Sequence, residues 1–327
     1  MSSLPQIYEE LFDSELLRTL DNIFNAIIGK RARYKSIDSN EGRKILSFWA
    51  KMKSSIEKRD FFTEGSKNSG KTIVRIKSTF EKDLIDHVIP TIKHESLYHY
   101  TTFESFWKIL ENGTIKLSSI LGLNDKSELN FTDLSTIKQN YHPTRMNKFS
   151  RTFIFSLSKL EDNLNQWRLY GDDGQGVCLF FKPKNIFSIA RDPNLQLREI
   201  FYGDDVVKIF RRIKAAVEKV ENAIFLTDFN ENRHFFKKND YEYEEEVRFL
   251  LFDNKEEYKI HWDINRFDIL NPFVYIPLED FPLQIMYASF GPKMKEREQN
   301  LANAEHFIRQ SNLSKFPLGV STIDSYR

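Results

Sequence analysis

The stretch LYHYTTFESFWKILENGTIKLSS, residues 97–119, decides the fold class of the C-terminal part of the chain. Its first five residues alternate as in a strand, which puts the polar side chains of His99 and Thr101 on one face. Thr101 and Glu104 have the spacing of a capping box, which predicts the start of a helix that ends at Gly113. TIKLSS then predicts a second strand. A strand, a helix and a strand in so short a stretch indicate an α+β fold.

Strand patterns continue from this stretch to the C-terminus, with helical periodicities between them. The predicted strands are 97–101, 114–119, 152–158, 176–181, 195–202, 243–252, 284–290 and a last one near 318–323. The predicted helices of this part are 103–112, 204–225 and 293–312.

The first third of the chain has a different pattern, because its apolar residues repeat at helical spacing with no strand signal between them. The three predicted helices are 7–28, 45–56 and 73–88. Pro90 breaks the last of them. We therefore predict a helical N-terminal domain, residues 1–94, and an α+β domain, residues 95–327. The helical domain is a candidate site for a regulatory partner.

Composition narrows the classes of protein. The chain has 327 residues, of which 40% are hydrophobic and 14% aromatic, and its formal net charge is +1. This is enough apolar material for a packed core, and the balanced charge gives no bulk attraction to nucleic acid or anionic lipid. A single cysteine, Cys178, excludes an internal disulfide and suits a reducing compartment. The chain starts without a basic and then apolar leader, and it lacks an apolar run of about 18 residues. We expect a soluble, cytoplasmic protein that does not enter membranes.

Two familiar site patterns can be weighed from spacing alone. Gly65, Gly70, Lys71 and Thr72 have the spacing of a phosphate-binding loop. However, neither a buried strand before this loop nor an acidic partner strand is evident, so we predict a solvated connection between helices. The histidines are not spaced as metal ligands on one helix face, and we expect no metal site.

The segment 243–251 has the strongest polar pattern of the chain. If it forms one strand, Glu244, Glu246 and Arg248 share a face. Like charges two residues apart repel each other, so such a face is either a solvated edge or part of a cleft.

Three aromatic or imidazole side chains have two interpretations each. Trp167 and Tyr170 share one face of a short helical turn, where they either join the core or stack on a flat heterocycle at the mouth of a cleft. His99 is either a partly buried histidine that bonds to the backbone or a ligand-binding residue.

Several motifs in a fixed order resemble a bacterial family called domain of unknown function 2971, over residues 97–326. They are the opening stretch, an acidic loop with Asn124, Asp125 and Glu128, FSLS, the Trp167–Tyr170 segment with GVCL, YEEEVRF and FGPK. The opening strand, helix and strand also resemble the start of ADP-ribosyltransferase folds, among them RNA 2′-phosphotransferases and DNA-modifying toxins. This second resemblance implies an ADP-ribosyltransferase-like mixed sheet with flanking helices.

The resemblance also implies a site for NAD⁺ as the substrate. In it, His99 bonds the nicotinamide ribose, Glu246 is the catalytic carboxylate, and Glu244 orients the incoming nucleophile. Arg248 steadies the two glutamates or meets a phosphate, while the stacking residue is Tyr170, with Tyr202 and Tyr243 as alternatives. The residues implied for NAD⁺ binding are His99, Tyr100, Thr101, Trp167, Tyr170 and Arg248.

Three hypotheses for the function follow. The first is an enzyme that transfers ADP-ribose from NAD⁺ to a protein or nucleic acid, as a toxin or phage-defence effector, with NAD⁺ hydrolysis as a close variant. The second is a module that binds a nucleotide or nucleic acid without turnover. The third is a nucleoside-triphosphate switch built on residues 65–72.

Overall fold

The computed structural model describes residues 61–65, 72–76, 96–120, 151–185, 194–203, 223–226, 233–264 and 270–324, and positions 18, 22, 50, 86, 92, 189, 192, 211, 214 and 215. The chain divides into two compact units. The first unit comprises Met1–Pro90, Lys126–Lys138 and Phe201–Asp240, and the second comprises Thr91–Asp125, Gln139–Ile200 and Tyr241–Arg327. The predicted boundary at residue 94 stays a prediction.

The described strands and helices are numbered in chain order. Strands β1 to β15 are Phe61–Gly65, Thr72–Ile76, Leu97–Thr101, Thr114–Ser119, Thr152–Ser158, Val177–Pro183, Leu195–Glu199, Phe201–Tyr202, Ala223–Leu226, Phe236–Lys237, Glu246–Phe252, His261–Ile264, Leu270–Pro277, Leu283–Phe290 and Leu318–Val320. Helices α1 to α3 are Phe103–Asn112, Leu164–Leu169 and Arg297–Gln310, and short 3₁₀ helices are Asp172–Gly174, Arg233–Phe235 and Asn239–Glu244.

The first unit contains a three-stranded sheet in the order β1-β2-β9, in which β1 and β2 are antiparallel and β9 is parallel to β2. The predicted helices 73–88 and 204–225 are therefore wrong at 73–76 and 223–225. TIVRI is rich in β-branched residues, and so short an apolar run cannot be assigned from periodicity alone. Arg18, Asn22, Ala50 and Asp86 are helical, and the remainder of the three predicted N-terminal helices lies outside the described residues.

The phosphate-loop match lies at the end of a hairpin. Gly65 at the end of β1 is the partner of Thr72 at the start of β2, and residues 66–71 lie outside the described part. The segment therefore connects two strands. We had predicted a connection between two helices, and that prediction is wrong. A phosphate-binding loop delivers its ligand to the N-terminus of a helix that follows, whereas the described residues after Thr72 continue as a strand.

The second unit is built on one large mixed sheet, to which ten of the described strands contribute. Strand β5 is its branch point. One edge of β5 pairs with β11 over its whole length, and β11 pairs in turn with β7. The other edge is shared, since β4 pairs at Phe153 and Ile154 while β3 pairs only at Ser158. The sheet thus splits into an arm β4-β13-β12 and an arm β3-β6-β14-β15, and Ser156 lies between them.

Helices cover both faces of this sheet. Helices α1 and α3 contribute Phe106 and Ile308 to the main core, together with Phe155 and Phe249 of the central strands. We call this side the core face. On the opposite face, α2 packs through Trp167. Helix α1 has the predicted limits, except that its N-cap is Thr102 and not Thr101, since the Thr102 side chain accepts from Ser105 N.

The predicted strands of this unit are confirmed at β3 to β6, β14 and β15. The predicted strand 195–202 is split into β7 and β8, which belong to two different sheets. Strands β12 and β13 were missed. Pro272 and Pro277 within β13 obscured its pattern, because proline is rarely found inside a sheet. Helix α3 falls within the predicted 293–312.

None of the helices in the described part of the chain is long and apolar enough to cross a membrane.

Candidate functional site

The two glutamates of the predicted site are separated by a kink in the backbone. Glu244 ends a 3₁₀ helix and Glu246 begins β11, while Glu245 between them has φ = 42°, in the left-handed region. A non-glycine residue is rarely held there, and such strain is frequent at functional sites. Strand alternation therefore does not relate Glu244 to Glu246, contrary to the prediction of a strand from residue 243.

Both glutamates are nevertheless buried, Glu244 at 5% and Glu246 at 6% exposure. Strand β11 is paired on both sides, with β5 and with β7. The interpretation of this face as a solvated edge is therefore wrong, and the face lies in the interior of the sheet.

Hydrogen bonds fix the backbone of the kink at three successive carbonyl groups. The bonds run from Ser158 Oγ (2.8 Å) and Gln166 Nε2 (2.9 Å) to Glu244 O, from Lys159 N (3.1 Å) to Glu245 O and from Ile200 N (2.9 Å) to Glu246 O. Lys159 also forms ion pairs with the Glu245 side chain (3.6 Å) and with Glu199 (3.2 Å). The neighbouring segments therefore hold the kink in place.

The carboxylate of Glu246 forms a buried, two-point ion pair with Arg248. Arg248 Nε lies 2.7 Å from Glu246 Oε1, and the second nitrogen, Nη2, lies 3.1 Å from Oε2. The Arg248 side chain is 2% exposed. Paired in this fork geometry, the carboxylate and the guanidinium are held in one orientation.

The carboxylate of Glu244 is held by a tyrosine. Tyr170 Oη donates to Glu244 Oε1 at 2.7 Å. Burial of the hydroxyl, followed by the negative charges of Glu244 and Glu246, raises the pKa of Tyr170 well above its usual value, so this hydroxyl keeps its proton. The tyrosine as a whole is 40% exposed. Its hydroxyl end is thus committed to the glutamate while part of the ring faces solvent.

Helix α2 carries Tyr170 at its C-terminal end. The Asn163 side chain caps its start by accepting from Asn165 N and Gln166 N. After Tyr170, the chain turns closely against the ring of Trp167, since a Cβ at Gly171 would lie 2.5 Å from Trp167 Cε3. A larger residue would displace that turn and the tyrosine before it.

Trp167 and Tyr100 are parts of a hydrophobic core cluster. Trp167 is fully buried, donates from Nε1 to Asp162 at 2.8 Å, and packs edge-on against Tyr100 at 5.0 Å between ring centroids. The Tyr100 hydroxyl donates to Leu160 O and accepts from Asn163 N. The segment 167–170 was predicted either to join the core or to stack on a flat ligand. Trp167 joins the core, whereas the ring of Tyr170 is partly exposed.

His99 lies at the fork of the sheet, and it follows the backbone-bonded interpretation. Its ring stacks on Phe155 at 4.3 Å, and Nδ1 donates to Ser156 O at 2.8 Å, because a carbonyl oxygen can only accept. Burial lowers the pKa of His99 to about 4. At neutral pH the ring is therefore uncharged, with its proton on Nδ1 and an acceptor at Nε2.

The sheet register decides which predicted residues come together. Opposite partners of antiparallel strands share a face, and Tyr98, Ser158 and Glu246 are opposite one another across three strands. His99 and Thr101 are instead opposite Leu179 and Val177, whose side chains belong to the core face.

The structure therefore brings Tyr170, Glu244, Glu246 and Arg248 together, on the face opposite to the core. His99 and Thr101 belong to the core face by register, and the expectation that His99 lines the same cleft as Glu246 is not met. His99 still bonds the Ser156 carbonyl, which belongs to the next strand.

Ser156 marks an opening beside this cluster. It is exposed, although the other residues of β5 are buried and the strand lies inside the sheet. It is opposite Arg248 in the register. Since β3 and β4 diverge at this point, the fork leaves the middle of β5 accessible to solvent. Sequence reasoning missed both Ser156 and Gln166, because strand pairing and a buried amide have no sequence signal.

Among the described residues, no group of three or more histidine, cysteine, aspartate or glutamate side chains is arranged to hold a metal ion.

Residues 166–249 match the family described as "Protein of unknown function (DUF2971)". The match spans about a quarter of the chain, and it includes Tyr170, Glu244, Glu246 and Arg248, whereas His99 lies outside it. No curated protein matches the chain, and no solved structure matches it.

Proposed function

We propose that the chain is an NAD⁺-dependent ADP-ribosyltransferase that acts on a macromolecular acceptor, either a protein or a nucleic acid. Its large mixed sheet would then be an ADP-ribosyltransferase-like fold. The roles expected of a toxin or defence effector are part of the same proposal.

One observation carries the proposal. Two buried glutamates flank a strained, firmly bonded residue, and each carboxylate is held by a different partner, Tyr170 or Arg248. Such groups cost free energy to bury, and they are typical of sites where charge must be placed accurately. In this proposal a ligand would approach the cluster at the exposed Ser156, which lies opposite Arg248.

The chemistry of NAD⁺ cleavage suits this arrangement. The bond between ribose C1′ and the pyridinium nitrogen breaks, and its electron pair leaves with nicotinamide, which becomes neutral. The remaining ribose carbon resembles an oxocarbenium ion, and a fixed carboxylate such as Glu246 stabilises that positive charge. A nucleophilic oxygen or nitrogen of the acceptor then bonds C1′ and gives its proton to a base, for which Glu244 is the candidate.

In this proposal the two partners of the glutamates have distinct tasks. Arg248 keeps Glu246 in one orientation, and Tyr170 offers a partly exposed ring on which nicotinamide can stack. His99 acts from the core face, where it bonds the carbonyl of Ser156 and so fixes the backbone of β5 beside the cluster.

A binding module without turnover is the second candidate, and the Glu246–Arg248 pair favours it. A carboxylate bonded at both oxygens by a buried guanidinium already has a counter-charge. It has less attraction left for an oxocarbenium ion than a carboxylate bonded only to neutral groups.

The experiment that separates the two candidates is to incubate the purified chain with NAD⁺ labelled in its adenylate part, with and without cell lysate. The proposed enzyme releases nicotinamide, and label becomes attached to material that either protease or nuclease digests. The Glu246→Gln variant should lower nicotinamide release about a hundredfold to a thousandfold, while NAD⁺ binding changes little. If NAD⁺ binds but neither the parent nor the variant releases nicotinamide, the chain is a binding module.

Release of nicotinamide without labelled macromolecules would instead indicate NAD⁺ hydrolysis. Glu244→Gln sharpens this test, since a base for the acceptor affects transfer more than it affects cleavage.

A further inference from the structure

We propose that Gln166 is a positioning residue that holds Glu244 in its working orientation. This role rests on the proposed function of Glu244. The contacts between Gln166 and Glu244 are independent of that function. Gln166 is 3% exposed, and its Nε2 donates to the backbone carbonyl of Glu244 at 2.9 Å. A polar side chain buried to this degree in a helix must be hydrogen-bonded, and here its donor bonds a glutamate 78 residues away in the chain.

Gln166 and Tyr170 act on Glu244 as a pair. Gln166 lies in the first turn of α2 and Tyr170 is its C-cap, four residues later, which places them on one side of the helix. Gln166 bonds the Glu244 carbonyl, while Tyr170 bonds the carboxylate of the same residue at 2.7 Å. One short helix thus fixes both the backbone and the side chain of Glu244.

Helix α2 is itself held in place by several contacts, so its bonds to Glu244 restrict the position of that residue. Trp167 is fully buried between the two contact residues, and its Nε1 bonds Asp162. Asp162 also accepts from Ser321 Oγ at 2.6 Å and from Thr322 N at 2.7 Å. The segment before α2 therefore joins the C-terminal residues, and a shift of the helix requires several bonds to break.

The strain at Glu245 explains why such a grip is needed. A left-handed glutamate relaxes towards extended backbone unless neighbouring bonds oppose it. The Glu244 carbonyl precedes that residue and is held from two sides, by Gln166 and by Ser158. If the Gln166 bond is lost, we expect the peptide after Glu244 to rotate and the carboxylate to move away from Tyr170.

The test uses Gln166→Met, which keeps the length of the side chain and removes its donor. Asn165→Met is the matched control, because Asn165 is the exposed neighbour in the same helix. Two measurements are made on the full-length protein. The first is the kcat and KM for nicotinamide release from NAD⁺, and the second is amide hydrogen exchange of peptides that cover residues 241–248.

We expect Gln166→Met to lower kcat about tenfold to a hundredfold, since a displacement of about 1 Å at a reacting group has this cost. KM should stay within about twofold, because Gln166 is buried and has no proposed contact with NAD⁺. Exchange in residues 241–248 should become about fivefold to tenfold faster, as expected for the loss of one buried bond. Exchange elsewhere, and every property of Asn165→Met, should match the parent.

Failure of this proposal and failure of the proposed function give different results. Unchanged exchange at 241–248 in Gln166→Met overturns the positioning role, as does faster exchange throughout the second unit, which indicates a general folding role. Parental kcat in an active enzyme also overturns it. If the parent releases no nicotinamide while exchange at 241–248 is selectively faster in Gln166→Met, the proposed function is wrong. The conclusion that Gln166 holds the backbone of Glu244 in place is then still supported.

Discussion

Two carboxylate–cation pairs of the same sheet differ sharply in their surroundings. Glu246 and Arg248 form theirs on the central strand β11, with side chains 7% and 2% exposed. Asp263 of β12 and Lys116 of β4 form theirs near the end of an arm of the sheet, with side chains 37% and 38% exposed. Exposed pairs contribute little to stability, and buried pairs cost much desolvation.

The difference indicates which pair the fold needs. A sheet holds its strands together by backbone bonds and apolar packing, and well-packed apolar residues replace a buried ion pair with little or no loss of stability. The pair in β11 is therefore difficult to explain by stability alone. This is the physical reason for placing function at β11 and not at the outer arm.

The largest effect in this comparison is expected from Arg248→Met. The variant leaves the Glu246 carboxylate buried without its guanidinium, which destabilises a protein by about 3–5 kcal/mol. Urea unfolding at pH 7 measures this loss. The double variant Glu246→Leu/Arg248→Met should return to within about 1–2 kcal/mol of the parent. A single variant as stable as the parent would show that the pair is not desolvated.

The next effect concerns His99, a partly buried titratable group that bonds the Ser156 carbonyl from the core face. Its pKa in the folded chain is about 4, below the ordinary value of 6.5. As the pH falls from 6.5, the unfolded chain binds the proton first, so stability present at neutral pH is lost between pH 6.5 and 4 and changes little below that. Because the imidazole is partly exposed, we expect a loss of about 2 kcal/mol.

The control for this pH dependence is His99→Asn, whose side-chain amide nitrogen takes the place of Nδ1 and can still donate to Ser156 O but does not titrate. Urea unfolding at pH 7, 5.5 and 4.5 should show a difference between parent and variant that changes across this window. A constant difference would mean that His99 keeps an ordinary pKa in the folded chain.

An effect of similar size is expected for Tyr170→Phe. It removes the donor to Glu244 Oε1, and a lost bond to a buried charged group costs about 1.5–3 kcal/mol. Tyr275 of β13 is the matched control, because it is also 40% exposed and its ring contacts with Phe273 and His261 survive the change to phenylalanine. We expect Tyr275→Phe to change the free energy of unfolding by at most about 0.5 kcal/mol. Equal losses in the two variants would contradict the special environment of Tyr170.

The central strands could be predicted from the sequence because their apolar residues make the pattern visible. TFIFSLS and VCLFF are long enough, and rich enough in aromatic and branched residues, to exclude other assignments. The five residues TIVRI also form a strand, but their apolar residues fit the helical repeat of the residues that follow, so the sequence predicted a helix there.

The candidate site was predicted by residue type but not by geometry. The sequence YEEEVRF shows two glutamates near an arginine, yet it contains no glycine or asparagine to signal a left-handed residue at Glu245. The fork at Ser156 depends on which strands pair, and pairing partners far apart in the chain have no local signal. The hydrogen bond from Gln166 to Glu244 could not be predicted either, because the two residues are far apart in the chain.

The smallest effect is expected from Lys116→Met, which breaks the exposed pair with Asp263. The Lys116 ammonium also lies 4.2 Å from the centroid of the Phe273 ring. An exposed ion pair and an exposed cation–π contact together contribute about 1 kcal/mol, and salt screens the first of them. Urea unfolding of parent and variant in about 0.05 M and about 1 M salt should show a difference that shrinks at the higher concentration, where the Debye length is only about 3 Å.

The Arg248→Met loss should persist at high salt, because buried pairs are screened much less. A Lys116→Met loss above about 2 kcal/mol, or one equally insensitive to salt, would remove the contrast between the two pairs and with it the argument that burial of charge marks the site.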